Sequence, residues 1–298
     1  MIYQNKMEIK NQKTKTIKCK DNGRSSDITS ANFILGCGYK DENYFNCLYC
    51  YVNRYGRDIV YVNDNTDDIL EECNKWVKDQ PLIKTPNQID DKWYYADISC
   101  NTDINLMWNY YNWEYVFDYF KNHDRLAATF ATKYTNNRLL NYEPNGKIRV
   151  RMSLMPQNIS NKLEPKTSKI LSRIKFAQKL YEKGYSSHFN ISPIIVYKGW
   201  LDDYKELFSI INNEISEDFK KQCGLECIFA TYSEMTHKYN LEKGIDDNLL
   251  WQPNIQEDKV SEYGSKALRY KWQLKAKWIE EFKQLVKQEL DIPIRYIF

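Results

Sequence analysis

Cys37, Cys47 and Cys50 stand in one segment, Gly36 to Tyr51, with the spacing C-x9-C-x2-C. Three thiolates delivered by one loop can hold three irons of a [4Fe–4S] cube, leaving the fourth iron open to an outside ligand. S-adenosylmethionine (SAM) can take that position through its amino and carboxylate groups. An electron from the cluster then cleaves the sulfonium to a 5′-deoxyadenosyl radical. The alternative is zinc, which takes four ligands. The nearest further thiols, Cys19 and Cys73, and the histidines His123, His188 and His237 are all remote from the loop in sequence.

The elements that must position such a loop are those of an α/β chain. The 298 residues are 42% hydrophobic and 28% charged, enough to bury a large core and too apolar for disorder. Mean hydropathy is −0.71, and no apolar run approaches membrane-spanning length. The opening MIYQNKMEIK lacks an apolar signal core, so a cytoplasmic chain with no membrane contact is expected. In that compartment the eight cysteines are ligating, catalytic or small core residues rather than paired. Strands are predicted at Asn32–Leu35, Lys92–Ser99, Leu126–Thr132, Ile148–Leu154, Phe189–Val196, Glu226–Thr231 and Ile294–Ile297. Helices are predicted at Thr66–Gln80 with Thr66 as N-cap, Trp113–Asn122, Thr167–Lys183 closed by Gly184, Asp202–Asn213 and Lys275–Leu290. This alternation implies βαβ units and a parallel sheet whose chemistry gathers at the carboxyl ends of the strands. Cys37, Cys100, Lys133 and Ser153 fall at or near such ends, and Ser192 falls mid-strand.

Charge is segregated. Residues 1–24 carry seven basic side chains against Glu8 and Asp21, and residues 266–290 carry seven against Glu280, Glu281 and Glu289. With no internal repeat and no long linker, the chain reads as a basic arm over residues 1–30 and one domain over residues 31–298. Two basic segments on a mildly acidic body suit phosphate binding.

The cysteine segment resembles the radical SAM superfamily, and Leu48-Tyr49-Cys50-Tyr51 is similar to the spore photoproduct lyase family, whose cluster motif ends in the same Tyr-Cys-Tyr. Ile98-Ser99-Cys100-Asn101-Thr102-Asp103-Ile104, Ala131-Thr132-Lys133-Tyr134, Arg149-Val150-Arg151-Met152-Ser153, Ser192-Pro193-Ile194, Tyr232 to His237 and Arg269-Tyr270-Lys271-Trp272 follow in family order. The resemblance covers Phe33 to Phe298. It departs in the first spacer, where the family has C-x3-C.

The resemblance implies a partial (β/α)6 radical SAM barrel with a C-terminal DNA-binding hairpin/helix extension over about residues 255–298. It implies a lyase reverting spore photoproduct, 5-thyminyl-5,6-dihydrothymine, to two thymines. Cys37, Cys47 and Cys50 would ligate the [4Fe–4S] cluster. Cys100 would donate the returning hydrogen atom, and Tyr49 and Tyr51 would relay the radical. Thr102, Asp103, Lys133, Ser153 and Ser192 would hold SAM, and Arg269, Tyr270 and Lys271 would grip DNA carrying a thymine lesion and wedge the lesion out of the duplex. A flavodoxin- or ferredoxin-type reductant and a monomeric state are expected. The longer spacer leaves a second reading open, a related radical SAM enzyme acting on a modified nucleobase in viral DNA or RNA. A zinc-bearing nucleic-acid-binding protein is the third.

Overall fold

The computed structural model describes residues 6–10, 18–19, 25–29, 31–36, 47–50, 52, 59–87, 90–260 and 264–298. Cys37 and Tyr51 lie outside them. In chain order the elements are β1 (Lys6–Lys10), β2 (Lys18–Cys19), β3 (Ile28–Thr29), β4 (Ile34–Leu35), β5 (Ile59–Asn63), α1 (Thr66–Lys78), β6 (Tyr94–Asp97), α2 (Trp113–Asn122), β7 (Leu126–Thr132), β8 (Ile148–Ser153) and α3 (Gln157–Leu163). There follow α4 (Ile170–Glu182), β9 (Ser186–Ile194), α5 (Trp200–Glu214), α6 (Glu217–Gln222), β10 (Leu225–Phe229), β11 (Thr231–Ser233), α7 (Glu234–Glu242), β12 (Gln256–Val260), β13 (Lys266–Tyr270), α8 (Trp272–Glu289) and β14 (Ile294–Ile297).

The main sheet has the order β14-β10-β9-β8-β7-β6-β3-β2 and is parallel from β3 to β14, with β2 antiparallel at its edge. It curls into an open half-barrel. Residues in register on neighbouring strands share a face, so alternation along one strand fixes the character of a whole layer. In β8 the sequence Ile-Arg-Val-Arg-Met-Ser alternates apolar and polar. Arg151 pairs in register with Ala131 of β7 and His188 of β9, and Asn190 pairs with Glu226 of β10. The concave face is therefore polar, while Val150, Met152, Phe130, Phe189 and Cys227 on the opposite face are buried in the helix-covered core. The helices form because their apolar residues recur at helical spacing: α4 turns Ile170, Ile174, Ala177 and Leu180 inward, and Gly184 at φ 89° ends it.

Three sequence expectations are corrected. The strand before the cysteines does not open the barrel: β4 pairs antiparallel with β5 in a separate sheet of order β1-β5-β4. The barrel's first parallel strand is β3, inside the segment read as a basic arm. It is fixed there because the buried Asp27 carboxylate accepts from Lys84 Nζ at 3.0 Å and from Tyr95 N at 2.7 Å. Third, Asn65 rather than Thr66 occupies the N-cap of α1, and Thr66 Oγ1 is hydrogen-bonded to the Tyr111 hydroxyl. Near the C-terminus, β12 and β13 form an antiparallel hairpin joined to β11. α8 instead packs on the barrel, with Phe282 stacked on Trp200 of α5 at 6.0 Å, and β14 completes the main sheet.

Candidate active site at the carboxyl rim of the half-barrel

The cysteine turn is tight: Cys50 N donates to the Cys47 carbonyl at 2.8 Å, so the two thiols leave one turn. Leu48 N donates to the Leu163 carbonyl at 2.9 Å, tying the turn to the end of α3. Tyr49 donates its hydroxyl hydrogen to Glu164 Oε1. Glu164 is itself ion-paired with Arg173 at 2.8 Å, both side chains wholly buried. Arg173 spends its remaining donors on the Ser153 and Ser168 carbonyls at 2.9 and 2.8 Å and on Thr167 Oγ1 at 2.5 Å. Burial opposes the Glu164 charge, yet Arg173, Lys133 and the Tyr49 hydroxyl together hold its pKa below the ordinary carboxylate value.

Lys133 directly follows β7, its ammonium 5.7 Å from the centre of the Tyr49 ring. Burial disfavours its charge, but Cys47 and Glu164 outweigh that and raise its pKa. The Cys47 thiol is pushed up to about 12, first by burial, with Lys133 and Arg173 pulling the other way. Burial, then Glu164, also raises the Tyr49 phenol.

Cys100 lies half-buried just beyond β6. Its loop is hooked to the start of the cysteine segment: Gly36 N donates to the Asn101 carbonyl at 3.1 Å, and Thr102 Oγ1 donates to the Gly36 carbonyl at 2.8 Å. Asp103 is buried and internally engaged, accepting from Thr132 Oγ1 at 2.7 Å, Lys133 N at 2.8 Å and Asn105 N at 3.1 Å. Burial raises its pKa despite these donors. Thr102 and Asp103 thus shape the rim from behind, one through Gly36 and the other through the backbone of Lys133. Ser153 ends β8 on the concave face, where its hydroxyl accepts from Asn190 Nδ2 at 3.4 Å. Ser192 lies on β9, half-buried.

Below this rim a chain of charges crosses the concave face. Arg151 meets Asp97 at 2.7 Å and Glu226 at 3.4 Å, donates to Thr129 Oγ1 at 3.0 Å, and Glu226 accepts from the Tyr296 hydroxyl at 2.9 Å. Burial disfavours the guanidinium charge, but Asp97 and Glu226 hold it protonated. Cys100 lies within the electrostatic reach of this guanidinium.

The residues expected at DNA separate. Arg269 is exposed and paired with Glu257 at 3.0 Å, and Lys271 is exposed with Nζ donating to the Asn254 carbonyl at 2.8 Å. Tyr270 points inward instead: it is 1% exposed, packs against Phe229 and Trp278, and its hydroxyl accepts from Val196 N at 2.9 Å. Alternation along β13 decides this, since Leu268 and Tyr270 share the inner face. Trp272, at the start of α8, is 67% exposed.

The model of the family described as spore photoproduct lyase matches residues 24–296. The chain belongs to the spore photoproduct lyase family. The spore photoproduct lyase of Bacillus subtilis (strain 168) is 25% identical over 262 residues, covering 87% of this chain and 68% of that protein. That of Clostridium acetobutylicum is 24% identical over 175 residues, covering 57% of this chain and 49% of its own length. In fold, the chain is similar to a solved spore photoproduct lyase variant with bound AdoMet and dinucleoside spore photoproduct. The TM-score is 0.83 at 19% identity, over 98% of this chain and 82% of that one. Spore photoproduct lyases are radical SAM enzymes with a [4Fe–4S] cluster, and the donors here suit that group: Cys47 and Cys50 leave one turn, backed by the cations Lys133 and Arg173. Among the described residues no group of three His, Cys, Asp or Glu forms a self-sufficient metal site.

Sequence reasoning gave no role to Glu164, Arg173, Asn190 or the Arg151–Glu226 pair. Arg173 left a readable signal, a charged residue on the apolar stripe of α4 between Ile170 and Ala177. Such a residue is buried and paired, or the helix is misread.

Proposed function

We propose that this chain is a radical SAM lyase that reverts spore photoproduct in DNA to two thymines. Family membership sets the reaction class, and one observation carries the reading to this chain. The Cys100 loop is bonded at both Asn101 and Thr102 to Gly36, the residue before Cys37 in sequence, and this supports Cys100 as the hydrogen-atom donor. When bound, the cluster and SAM supply a 5′-deoxyadenosyl radical.

Cys47 and Cys50, with Cys37, are the ligands. Lys133 offers its ammonium, and Ser153 and Ser192 their hydroxyls, to the bound nucleoside and methionine groups. Thr102 and Asp103 act through the backbone they fix. Once a hydrogen atom has been taken from a thymine carbon and the methylene bridge has broken, Cys100 would give its S–H hydrogen to the product radical and be left as a thiyl. Tyr49 and Tyr51 would return a hydrogen to the Cys100 thiyl, their phenol being restored by a hydrogen from 5′-deoxyadenosine when SAM is bound. At the hairpin, Arg269 and Lys271 neutralise phosphates and exposed Trp272 takes the wedge position. Tyr270 holds the strand from below. No helix among the described residues is long and apolar enough to cross a membrane. The reading places the enzyme in the cytoplasm with a flavodoxin- or ferredoxin-type reductant.

Anaerobic reconstitution tests the reading: about four irons with matching sulfide are expected, and with dithionite and SAM the protein restores thymines in UV-treated dry DNA. One bound zinc, or a four-iron protein without repair, overturns it. Cys100→Ala keeps SAM cleavage and diverts the product radical to a sulfinate adduct with dithionite. A variant that repairs like wild type removes Cys100 from the donor role.

A further inference from the structure

The carbonyl of Leu48, in the middle of the cysteine turn, is held from the far end of the chain. Asn240 of α7 donates from Nδ2 to this oxygen at 3.0 Å and to the Tyr232 hydroxyl at 2.6 Å, using both amide hydrogens. Tyr232 of β11 donates in turn to Asp247 Oδ2 at 2.6 Å, and its oxygen stands 3.4 Å from the Leu48 carbonyl. Asp247 also meets His237 Nδ1 at 3.0 Å, and the His237 ring stacks on Trp251 at 4.1 Å with the planes 5° apart. Asn240, Tyr232 and Asp247 are at most 2% exposed.

The direction of this chain is fixed. Asn240 Oδ1 has no hydrogen-bond partner among the described residues. Flipping the amide would set that oxygen against the Leu48 carbonyl, two acceptors facing each other. A buried acceptor is left unsatisfied so that a donor stays on Leu48, and buried groups are rarely left so without reason. Fixing the helix to the barrel does not require it, since an apolar residue would pack there with no orphaned atom.

We propose that Asn240, Tyr232 and Asp247 are positioning residues for the cysteine turn, holding the Leu48–Tyr49 peptide unit in one orientation. The peptide is planar and trans, so a carbonyl fixed toward α7 also directs the Tyr49 N–H the opposite way. The neighbouring Cys47–Leu48 unit is held separately, its Leu48 N–H donating to the Leu163 carbonyl, so Leu48 is gripped on both sides from two helices. Backbone dipoles beside a thiolate-held cluster tune its potential and its retention. The inference rests on the [4Fe–4S] reading and assigns this chain's residues to its support.

The test compares Asn240→Asp, Tyr232→Phe and the exposed control Met235→Ala in the reconstituted full chain. Asn240→Asp keeps the shape; burial beside Asp247 raises its carboxyl, so it is assayed at about pH 9, where as a carboxylate it offers Leu48 no hydrogen. Two readouts are taken: the rate at which a chelator bleaches the cluster, and the electron paramagnetic resonance spectrum of the reduced cluster with and without SAM. Asn240→Asp is expected to bleach about tenfold faster, within the 10- to 100-fold range for lost outer-shell partners, with a changed spectrum. Tyr232→Phe moves both readouts in the same direction by less, and Met235→Ala moves neither. If Asn240→Asp does not fold, Tyr232→Phe decides alone. Bleaching and spectra identical to wild type in the folded variants overturn this inference and leave the function reading standing. A wild-type protein that takes up one zinc overturns the parent reading, and this inference with it.

Discussion

At the scale of single residues, the site depends on a buried ion pair that a pairwise reading of motifs does not find. Glu164 and Arg173 are each at most 3% exposed, and the carboxylate also receives the Tyr49 hydroxyl. Removing one partner of such a pair strands the other charge, so Arg173→Met is expected to destabilise the chain by about 3–5 kcal/mol, measured by chemical denaturation at pH 7. The sign of the pH effect follows from the direction of the shift. Glu164 has a lowered folded pKa, so its contribution is present above the unfolded carboxylate value of about 4.3 and is lost as pH falls through the folded value. Glu164→Gln should therefore flatten the acid limb of the stability profile. An unchanged limb would show that the pair contributes nothing net. The positions of Lys133 just past β7 and of Ser153 at the end of β8 were legible because the alternation along each strand marks its end. Glu164 was not, because it meets Tyr49 across 115 positions of sequence.

At the scale of elements, the hairpin shows how far periodicity reaches. Arg269 on β13 and Lys271 just beyond its end flank Tyr270, so the sequence alone makes all three look like one surface patch. The strand period of two turns Tyr270 inward. Tyr270→Phe is expected to cost about 0.5–1.5 kcal/mol of stability through the lost bond to Val196 N, with unchanged affinity for damaged DNA. Lys271→Ala should leave stability within about 0.5 kcal/mol and lower the salt dependence of DNA binding by about one phosphate's worth. Trp272→Ala should weaken lesion-DNA affinity by about 1–3 kcal/mol if a base stacks on it. Fluorescence titrations at several salt concentrations read both. A Lys271→Ala protein with the wild-type salt slope would take DNA off this hairpin. Longer elements such as α2 and β7 were predictable to the residue because each carries several turns or alternations. The two-residue β3 and β4 carry less than one period, and their partners rather than their pattern decide their sheets.

For the molecule as a whole, the half-barrel turns a polar face inward and rims it with the candidate chemistry. His188 of β9 sits in that face, 8% exposed, between Arg149, Arg151 and Arg295. Burial first, and then those three cations, hold its pKa well below the ordinary histidine value. Its Nδ1 accepts from Gly224 N at 2.8 Å, so the neutral ring fits the site. A depressed folded value means that stability is present above the unfolded pKa of about 6.5 and is lost as pH falls below it toward the folded value. The wild type should lose stability between pH 6.5 and 5, and His188→Gln should lose less over that interval in denaturation measured at both limits. Equal losses would show that His188 is not the group responsible.

The sequence by itself determined the alternation of helix and strand, the three-cysteine loop, the order of rim residues and the family. Those features are local or ordered along the chain, and hydrophobic period, turn chemistry and motif spacing encode them directly. Only the tertiary structure decided that Glu164, paired with Arg173, meets Tyr49, that Asp27 draws β3 into the barrel, that the Tyr270 hydroxyl meets Val196 N, and that α7 reaches the Leu48 carbonyl. Each of these is a contact between positions far apart in sequence. Sheet register and helix packing set which buried charges and amides meet, and no local pattern records a partner more than 50 residues away.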